Sequence, residues 1–334
     1  MTTWDSFMAR AVALAEDPRA PRGVNPRVGC VIVDDQLRIV GEGWHAGAGS
    51  PHAEVVALRD AGERAVGATA VVTLEPCRHH GRTGPCVTAL VDAGIARVVF
   101  ADEDPTSAAG GGAAELRAAG IEVISGIARD RAHAINREWS IAAARGLPYV
   151  TAKCAVSTDG RVAGPGGAPV ALTGDEANRY SHGLRSIVQA IVVGAQTVVT
   201  DDPRLTIRHA NIPVSGQPLR VVVGRRSLPL QARIFDASAP TVQIHDHDPV
   251  VVLRDLYSRG VRHVLLEGGP TLLRAFLEAG MVDELVWLIT GVWLGSGPHA
   301  LSQGSRLDAP ATVVETRTLG EDVLVRALME RQVV

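Results

Sequence analysis

The chain has 334 residues, 46% of them hydrophobic and 21% charged, with a formal net charge of −3. That is more than one ordinary domain needs and apolar enough for two buried cores, which excludes a disordered chain. The acidic balance contains no basic block, which argues against a nucleic-acid partner, and no apolar run reaches the length of a membrane-spanning helix. The opening Met1-Thr2-Thr3-Trp4-Asp5 lacks the basic and apolar regions of a secretion signal. Four cysteines give no disulfide framework. A cytoplasmic protein with a small-molecule partner is the expectation.

Apolar residues at helical spacing predict a helix over 4–15, with Thr3 as its cap. Asn25-Pro26 is a turn signal before an apolar strand at 28–33, which pairs with a strand at 37–44. A helix is expected at 53–65, a strand at 69–74, a helix at 84–93 and strands at 96–101 and 121–124. Between them, Ser107-Ala108-Ala109-Gly110-Gly111-Gly112 reads as a loop leading into a helix. This alternation implies a layered α/β domain. A helix over 129–145 stops at Gly146-Leu147-Pro148, which divides the chain into domains 1–147 and 148–334.

The second domain has strands at 149–155, 187–193, 219–223 and 261–267, a helix at 270–279, and strands at 284–290 and 323–328. It is again α/β, with a mostly parallel sheet. It contains no Gly-x-Gly-x-x-Gly, so an ordinary dinucleotide fingerprint is absent. Cys30 and Cys154 fall in apolar strand-like runs and read as small core residues.

The chemistry concentrates in Pro51-His52-Ala53-Glu54, followed by Glu75-Pro76-Cys77 and Pro85-Cys86. A His-x-Glu with two later Pro-Cys pairs is the pattern of a zinc deaminase acting on a nucleobase-like amidine. One imidazole and two thiolates hold Zn²⁺ at three corners and leave the fourth for water, whose pKa the metal lowers. Glu54 is then a proton shuttle and not a ligand. Two alternatives compete. Such residues are often buried filler, and a structural zinc site is usually closed by a fourth protein ligand.

Eight residues separate Cys77 from Cys86, and they include Arg78-His79-His80-Gly81-Arg82-Thr83. The block resembles the deaminase domain of bifunctional riboflavin-biosynthesis deaminase/reductases. So do Asn25-Pro26-Arg27-Val28-Gly29-Cys30 and Gly41-Glu42-Gly43-Trp44-His45. The second half is similar to the reductase domain of the same family. The blocks are Lys153 with Ser157-Thr158-Asp159-Gly160-Arg161, Arg185, Thr197 through Asp201-Asp202-Pro203-Arg204-Leu205-Thr206-Ile207-Arg208, and Glu267-Gly268-Gly269-Pro270-Thr271-Leu272.

The resemblance implies a cytidine-deaminase-like three-layer domain followed by a dihydrofolate-reductase-like α/β domain. It implies zinc-dependent deamination of 2,5-diamino-6-ribosylamino-4(3H)-pyrimidinone 5′-phosphate, then NADPH-dependent reduction of the ribosyl group to ribityl. Asn25, His45 and His79 become substrate contacts in the first domain. In the second, Arg185, Leu205 and Arg208 face the substrate, the arginines as forks for its phosphate. Lys153, Asp201 and Glu267 line the ribose pocket. Ala155, Ala171, Thr197, Asp201, Gly268, Gly269, Pro270 and Thr271 are set against NADPH; glycines before a helix N-terminus let backbone amides approach a phosphate. A homo-oligomer is expected.

Four departures accompany the match. Arg78 stands where serine is commoner, which should leave ligation intact, and Thr106 stands where the family has Asn. The cofactor hairpin, Gly166-Gly167-Ala168-Pro169-Val170-Ala171-Leu172-Thr173, lacks the family's serine and aromatic ring. Gly224-Arg225 replaces an Asp-Ser, and Arg225 reads equally as a partner for the extra phosphate of NADPH or as a surface arginine. The altered hairpin keeps open a deaminase whose second half is a degenerate binding or assembly module. A nucleic-acid-editing deaminase is opposed by the acidic balance.

Overall fold

Runs of β-branched residues become strands throughout the chain, in a computed structural model that describes residues 3–17, 19–20, 22–79, 84–214, 216–301 and 310–330. The strands belong to two units, Met1–Arg145 and Gly146–Val334. The first contains α1 (Asp5–Ala15), β1 (Gly29–Val33), β2 (Ile39–Trp44), α2 (Ala53–Ala61), β3 (Thr69–Leu74), α3 (Cys86–Asp92), β4 (Arg97–Asp102), α4 (Gly112–Ala118), β5 (Glu122–Ser125) and α5 (Arg129–Arg145). The sheet order is β2-β1-β3-β4-β5; β1 runs antiparallel to both neighbours, and β3, β4 and β5 are parallel.

Every residue of β1 and β3 is buried, because helices cover both faces. Cys30, Ile32, Ala70 and Val72 pack with Ala53, Ala57 and Leu90 on one side. Val31, Val33, Val71 and Val99 pack with Met8, Val12 and Ile135 on the other. This is the three-layer arrangement that the family resemblance implies. Two glycines decide how closely one layer sits. A Cβ on Gly41 would stand 2.3 Å from the Ala57 carbonyl oxygen, and one on Gly43 would stand 2.4 Å from that of Ala53. Only hydrogen fits, so α2 lies against β2 backbone to backbone and its first turn is fixed to the sheet.

The second unit contains β6 (Tyr149–Ser157), α6 (Asp175–Ile187), β7 (Ala190–Gly194), α7 (Ala195–Asp201), β8 (Leu219–Val223), β9 (Thr241–Ile244), α8 (Pro249–Ser258), β10 (His263–Leu266), α9 (Pro270–Glu278), β11 (Glu284–Thr290), β12 (Ala311–Leu319) and β13 (Asp322–Met329). The sheet order is β12-β13-β11-β6-β10-β7-β8-β9. From β11 to β9 all pairs are parallel, with β13 and β12 added antiparallel. The carboxyl ends of the parallel strands therefore open on one edge, the usual place for a ligand in an open α/β sheet.

Several expectations are corrected. The N-cap of α1 is Trp4, with no side-chain cap, so Thr3 does not play that part. The helix expected over 53–65 ends at Ala61 and continues as a 3₁₀ turn, Gly62–Ala65. The strand expected at 187–193 begins at Ala190, because Ile187 closes α6. Helix α6 goes unpredicted although Ala177, Tyr180, Leu184 and Ile187 recur at helical spacing and pack on the cores of this unit. Edge strand β12 goes unpredicted as well; most of its residues are exposed and carry no alternation. Cys30 is fully buried as expected, whereas Cys154 is only half-buried. Among the described residues, no helix is long and apolar enough to cross a membrane.

Candidate active sites

In the first unit, three side chains converge from the starts of two helices. His52 is the N-cap of α2, and Cys86 is the first residue of α3 behind Pro85. Cys77 lies on the loop after β3. His52 Nδ1 stands 3.1 Å from Cys86 Sγ and 3.4 Å from Cys77 Sγ, and the three ligand atoms all lie within 4.8 Å of one another. The Cys86 thiol hydrogen-bonds toward Cys77 and His52 adds to it, which lowers the Cys77 thiol and raises that of Cys86. The Cys86 backbone N–H also points at Cys77 Sγ, at 3.5 Å. An imidazole with a thiol pair, one member of which ionises readily, is a donor set for Zn²⁺ with one position left open. Among the described residues, this is the cluster of metal-ligand side chains that converges.

Glu54 sits two residues after the histidine and is 4% exposed. Burial raises its carboxyl above the ordinary value, while His52 and a hydrogen bond with Cys86 work against that. A carboxyl in this state can both take and return a proton.

Asn25 and His45 are brought to the same place. His45 Nδ1 faces the Pro51 carbonyl at 3.1 Å, and Asn25 Nδ2 lies 2.9 Å from His45 Nε2. A carbonyl only accepts, so Nδ1 carries the proton and Nε2 accepts from the amide. Burial lowers the His45 pKa, which keeps the ring neutral and suited to that role. Asn25 is thereby left with its carbonyl oxygen free of this bond. The turn is anchored by a residue that the sequence did not suggest. Asn136, buried on α5, accepts from the Arg27 N–H and donates to the Arg27 carbonyl, both at 2.8 Å. His79 is exposed on the metal loop. The following His80-Gly81-Arg82-Thr83, part of the family motif, lies outside the described residues.

The second site is a network of charge. Glu267, just beyond β10, receives two bonds from Arg185 on α6, at 2.7 and 2.9 Å, and lies 3.6 Å from Lys153 Nζ on β6. Burial pushes the Glu267 carboxyl up, but Arg185 and Lys153 outweigh it and hold it at about 2. Arg185 also donates to the Thr206 carbonyl at 3.0 Å. This departs from the reading of Arg185 as an open phosphate fork: its donors are turned to Glu267 and the loop. Arg208 is exposed on that loop, as is Arg204, and its Nη1 lies 3.4 Å from the Thr206 carbonyl. Its backbone N–H is accepted at 3.3 Å by His182, whose pKa burial and the two arginines lower to about 4.

The loop is conformationally unusual. Asp202 (φ 41°) and Leu205 (φ 49°) both adopt left-handed backbone, and Leu205 is buried. Such strain in non-glycine residues gathers at ligand-binding segments. Asp202 is taken by Arg233, whose backbone N–H donates at 2.7 Å and Nε at 3.0 Å. Asp201, at the surface end of α7, has its carboxyl raised by partial burial.

Of the residues assigned to the cofactor, Thr197 and Gly268 to Thr271 follow the carboxyl ends of β7 and β10. The Thr197 hydroxyl stands 3.8 Å from where a Cβ of Gly269 would be, so the segments after β7 and β10 are adjacent. Gly269 caps α9, with Pro270 in its first turn. The first N–H groups of a helix lack intrahelical acceptors. Pro270 has none, which leaves Gly269 and Thr271 as donors suited to an anionic cofactor. Ala155 is half-buried on β6, and Ala171 is exposed; the stretch expected as a cofactor hairpin contains no strands and is a 3₁₀ turn, Pro165–Gly167, followed by irregular backbone up to α6.

One signal went unread in the sequence. Lys153 is the single lysine among 33 basic residues. Where arginine serves everywhere else, the one ammonium singles out Lys153 as a position at which a compact charge differs from a guanidinium fork.

A His-Cys-Cys cluster beside a buried glutamate, and a parallel-sheet unit with ion-paired charge at its carboxyl edge, define the class: a deaminase of the zinc type joined to an α/β reductase. Residues 1–102 match the cytidine and deoxycytidylate deaminase zinc-binding region, and residues 148–325 match the RibD C-terminal domain. The riboflavin biosynthesis protein RibD of Mycobacterium tuberculosis (strain ATCC 25618 / H37Rv) is 46% identical over 296 residues, covering 88% of this chain and 86% of its own length. That of Escherichia coli (strain K12) is 39% identical over 356 residues, covering 95% and 97%. Acinetobacter baumannii RibD is structurally similar, with a TM-score of 0.88 at 36% identity and coverage of 98% and 99%. A Thermotoga maritima diaminohydroxyphosphoribosylaminopyrimidine deaminase/5-amino-6-(5-phosphoribosylamino)uracil reductase gives a TM-score of 0.86 at 30% identity, covering 98% and 99%.

The chain belongs to the RibD family of riboflavin biosynthesis. It is a bifunctional enzyme that pairs a zinc-dependent deaminase domain with an NADPH-dependent reductase domain. The match of the second half to the RibD reductase domain disfavours the alternative of a deaminase carrying a degenerate module.

Proposed function

We propose that residues 1–147 hydrolyse the amino group of 2,5-diamino-6-ribosylamino-4(3H)-pyrimidinone 5′-phosphate, and that residues 148–334 reduce the ribosyl group of the product to ribityl. The observation that carries this reading is the convergence of His52, Cys77 and Cys86 beside buried Glu54. Zn²⁺ at this donor set supplies Lewis acidity at its open position. Glu54 would take the two protons of the attacking water in turn, passing one to the ring nitrogen and one to the amino group that leaves as ammonia. Asn25 presents its carbonyl oxygen to the pyrimidinone edge, neutral His45 fixes that amide, and His79 contacts the substrate from the metal loop.

In the second unit, NADPH supplies the hydride. Lys153, Asp201 and Glu267 orient the sugar, and Leu205 lines the pocket. Arg208 takes the phosphate, with Arg185 holding Glu267 and the Thr206 carbonyl in place behind it. Ala155, Ala171, Thr197, Asp201 and Gly268 to Thr271 hold the cofactor, with backbone amides of α9 facing its phosphates. The enzyme is read as cytoplasmic and homo-oligomeric, acting on a small molecule rather than nucleic acid.

Mass spectrometry of the diaminopyrimidinone phosphate incubated with enzyme tests the reading. Without NADPH the deaminated ribosyl compound should accumulate, and with NADPH the ribityl compound should form. An unchanged substrate in both samples would falsify it.

A further inference from the structure

The loop that carries Cys77 is gripped from both sides by side chains that ligate nothing. Glu75, buried, turns its carboxylate oxygens to opposite ends of the segment 104–113. Oε1 accepts from the Ala113 N–H at 2.9 Å, and Oε2 accepts from the Asp104 N–H at 3.4 Å. Arg78 takes the middle of the same segment. Its Nε donates to the Gly110 carbonyl at 2.6 Å and its Nη2 to the Ser107 carbonyl at 3.2 Å. Its backbone N–H reaches the Ala109 carbonyl at 3.4 Å, and Nη1 lies 3.8 Å from the Glu115 carboxylate.

The segment is shaped for this grip. Asp104 Oδ1 accepts from both the N–H and the hydroxyl of Thr106, at 2.8 and 2.6 Å. Gly112 closes the contact: a Cβ there would stand 1.9 Å from the Pro76 carbonyl oxygen. Within the strap, Ala109 packs directly on Cys77 and Cys86.

We infer that Glu75 and Arg78 are positioning residues forming a clamp of opposite charge about Cys77, which holds the 104–113 strap as one side of the deaminase site. The division of labour follows from donor chemistry. A carboxylate accepts only, so it takes the strap's N–H groups; a guanidinium donates only, so it takes the carbonyls. A serine hydroxyl at position 78 carries one donor and cannot span two carbonyls, whereas the guanidinium fork does. The clamp keeps Ala109 over the thiols, which slows access of competing ligands to the metal and fixes the wall beside the bound pyrimidine.

The inference rests on His52, Cys77 and Cys86 being the zinc ligands, so its test begins with zinc-loaded holoenzyme. Arg78→Ser, Arg78→Lys and Gly112→Ala are compared with wild type. The measurements are zinc transfer to a chromophoric chelator, deaminase KM and kcat, zinc stoichiometry and thermal melting as checks that the first unit is folded, and NADPH oxidation on the deaminated substrate as a control for the second. Arg78→Ser should transfer zinc about tenfold faster and raise deaminase KM about tenfold with kcat nearly unchanged, as one charge-assisted hydrogen bond lost per effect implies. Arg78→Lys, with a single compact donor group, should fall between. Gly112→Ala pushes the strap outward with Arg78 intact and should reproduce both changes. Wild-type transfer and KM in either Arg78→Ser or Gly112→Ala, with the reductase active, overturn the clamp. A fall in kcat at constant KM overturns it too, because that would put Arg78 on the reacting atoms. Wild-type enzyme that retains no zinc overturns the ligand assignment, and the clamp with it.

Discussion

Glu54 and Glu267 are both buried glutamates in sites of one enzyme, and their surroundings push them in opposite directions. Burial raises Glu54, whose neighbours are an imidazole and thiols. Burial acts on Glu267 in the same sense, but Arg185 and Lys153 reverse the outcome and hold it at about 2. One carboxyl is left able to exchange a proton; the other is a permanent anion that organises two cations. The reaction each site performs follows that difference. Deamination moves protons between water, ring and leaving group. Hydride transfer needs a fixed sugar and a fixed nicotinamide, within about 3–3.5 Å of each other.

The harshest way to break the comparison is to remove the metal from one side of it. Cys77→Ser should empty the zinc site and abolish ammonia release, while the protein still oxidises NADPH with the deaminated substrate. Metal analysis beside the two assays checks this; full zinc stoichiometry in the variant would remove Cys77 from the ligand set.

Glu54→Gln is next in size. It should keep zinc and lose deamination by roughly 10²–10⁴-fold, the usual contribution of a general acid–base group, with reduction intact. Ammonia release at near-normal rate from the zinc-loaded variant would leave the shuttle role without support.

Lys153→Arg probes the other half. It keeps the charge but replaces a compact ammonium with a planar fork beside Arg185, and misplacement by about 1 Å costs on the order of 10²-fold. NADPH oxidation should fall by that order and the unreduced ribosyl compound should accumulate, with ammonia release normal. Full activity would mean that the single lysine serves only as a positive charge.

Glu267→Ala should lose reduction and also stability, by up to about 3–5 kcal/mol, because it strands two half-buried cations. The pH dependence has a definite sign. The folded carboxyl is held at about 2, below its ordinary 4.5, so the ion-paired form stabilises the fold above pH 4.5. That contribution fades as pH falls from there toward 2. Melting temperature against pH should show this acid slope in wild type and less of it in the variant.

The mildest change is Arg208→Ala. Loss of one exposed phosphate contact should raise the reductase KM by about tenfold at low salt, and less at high salt, where screening already weakens the contact. A kcat effect at unchanged KM would place Arg208 elsewhere.

What the sequence determined is what local chemistry determines. His52 and Glu54 are neighbours on one helical turn, and Cys77 and Cys86 bracket one loop, so the metal site was legible as spacing. The strand Thr69–Leu74 was legible as a continuous apolar run, because a sheet covered on both faces admits little else, and Glu284–Thr290 was legible although its burial alternates between the two faces. The tertiary structure decided the rest. That Arg185 faces Glu267 rather than open solvent depends on α6 meeting the end of β10, 82 residues apart in the chain. That Asn136 holds the backbone of Arg27, and with it the turn at Asn25, spans 109 residues. No periodicity records such pairings, because a hydrogen bond between distant side chains constrains where two elements meet and leaves each element's own pattern unchanged.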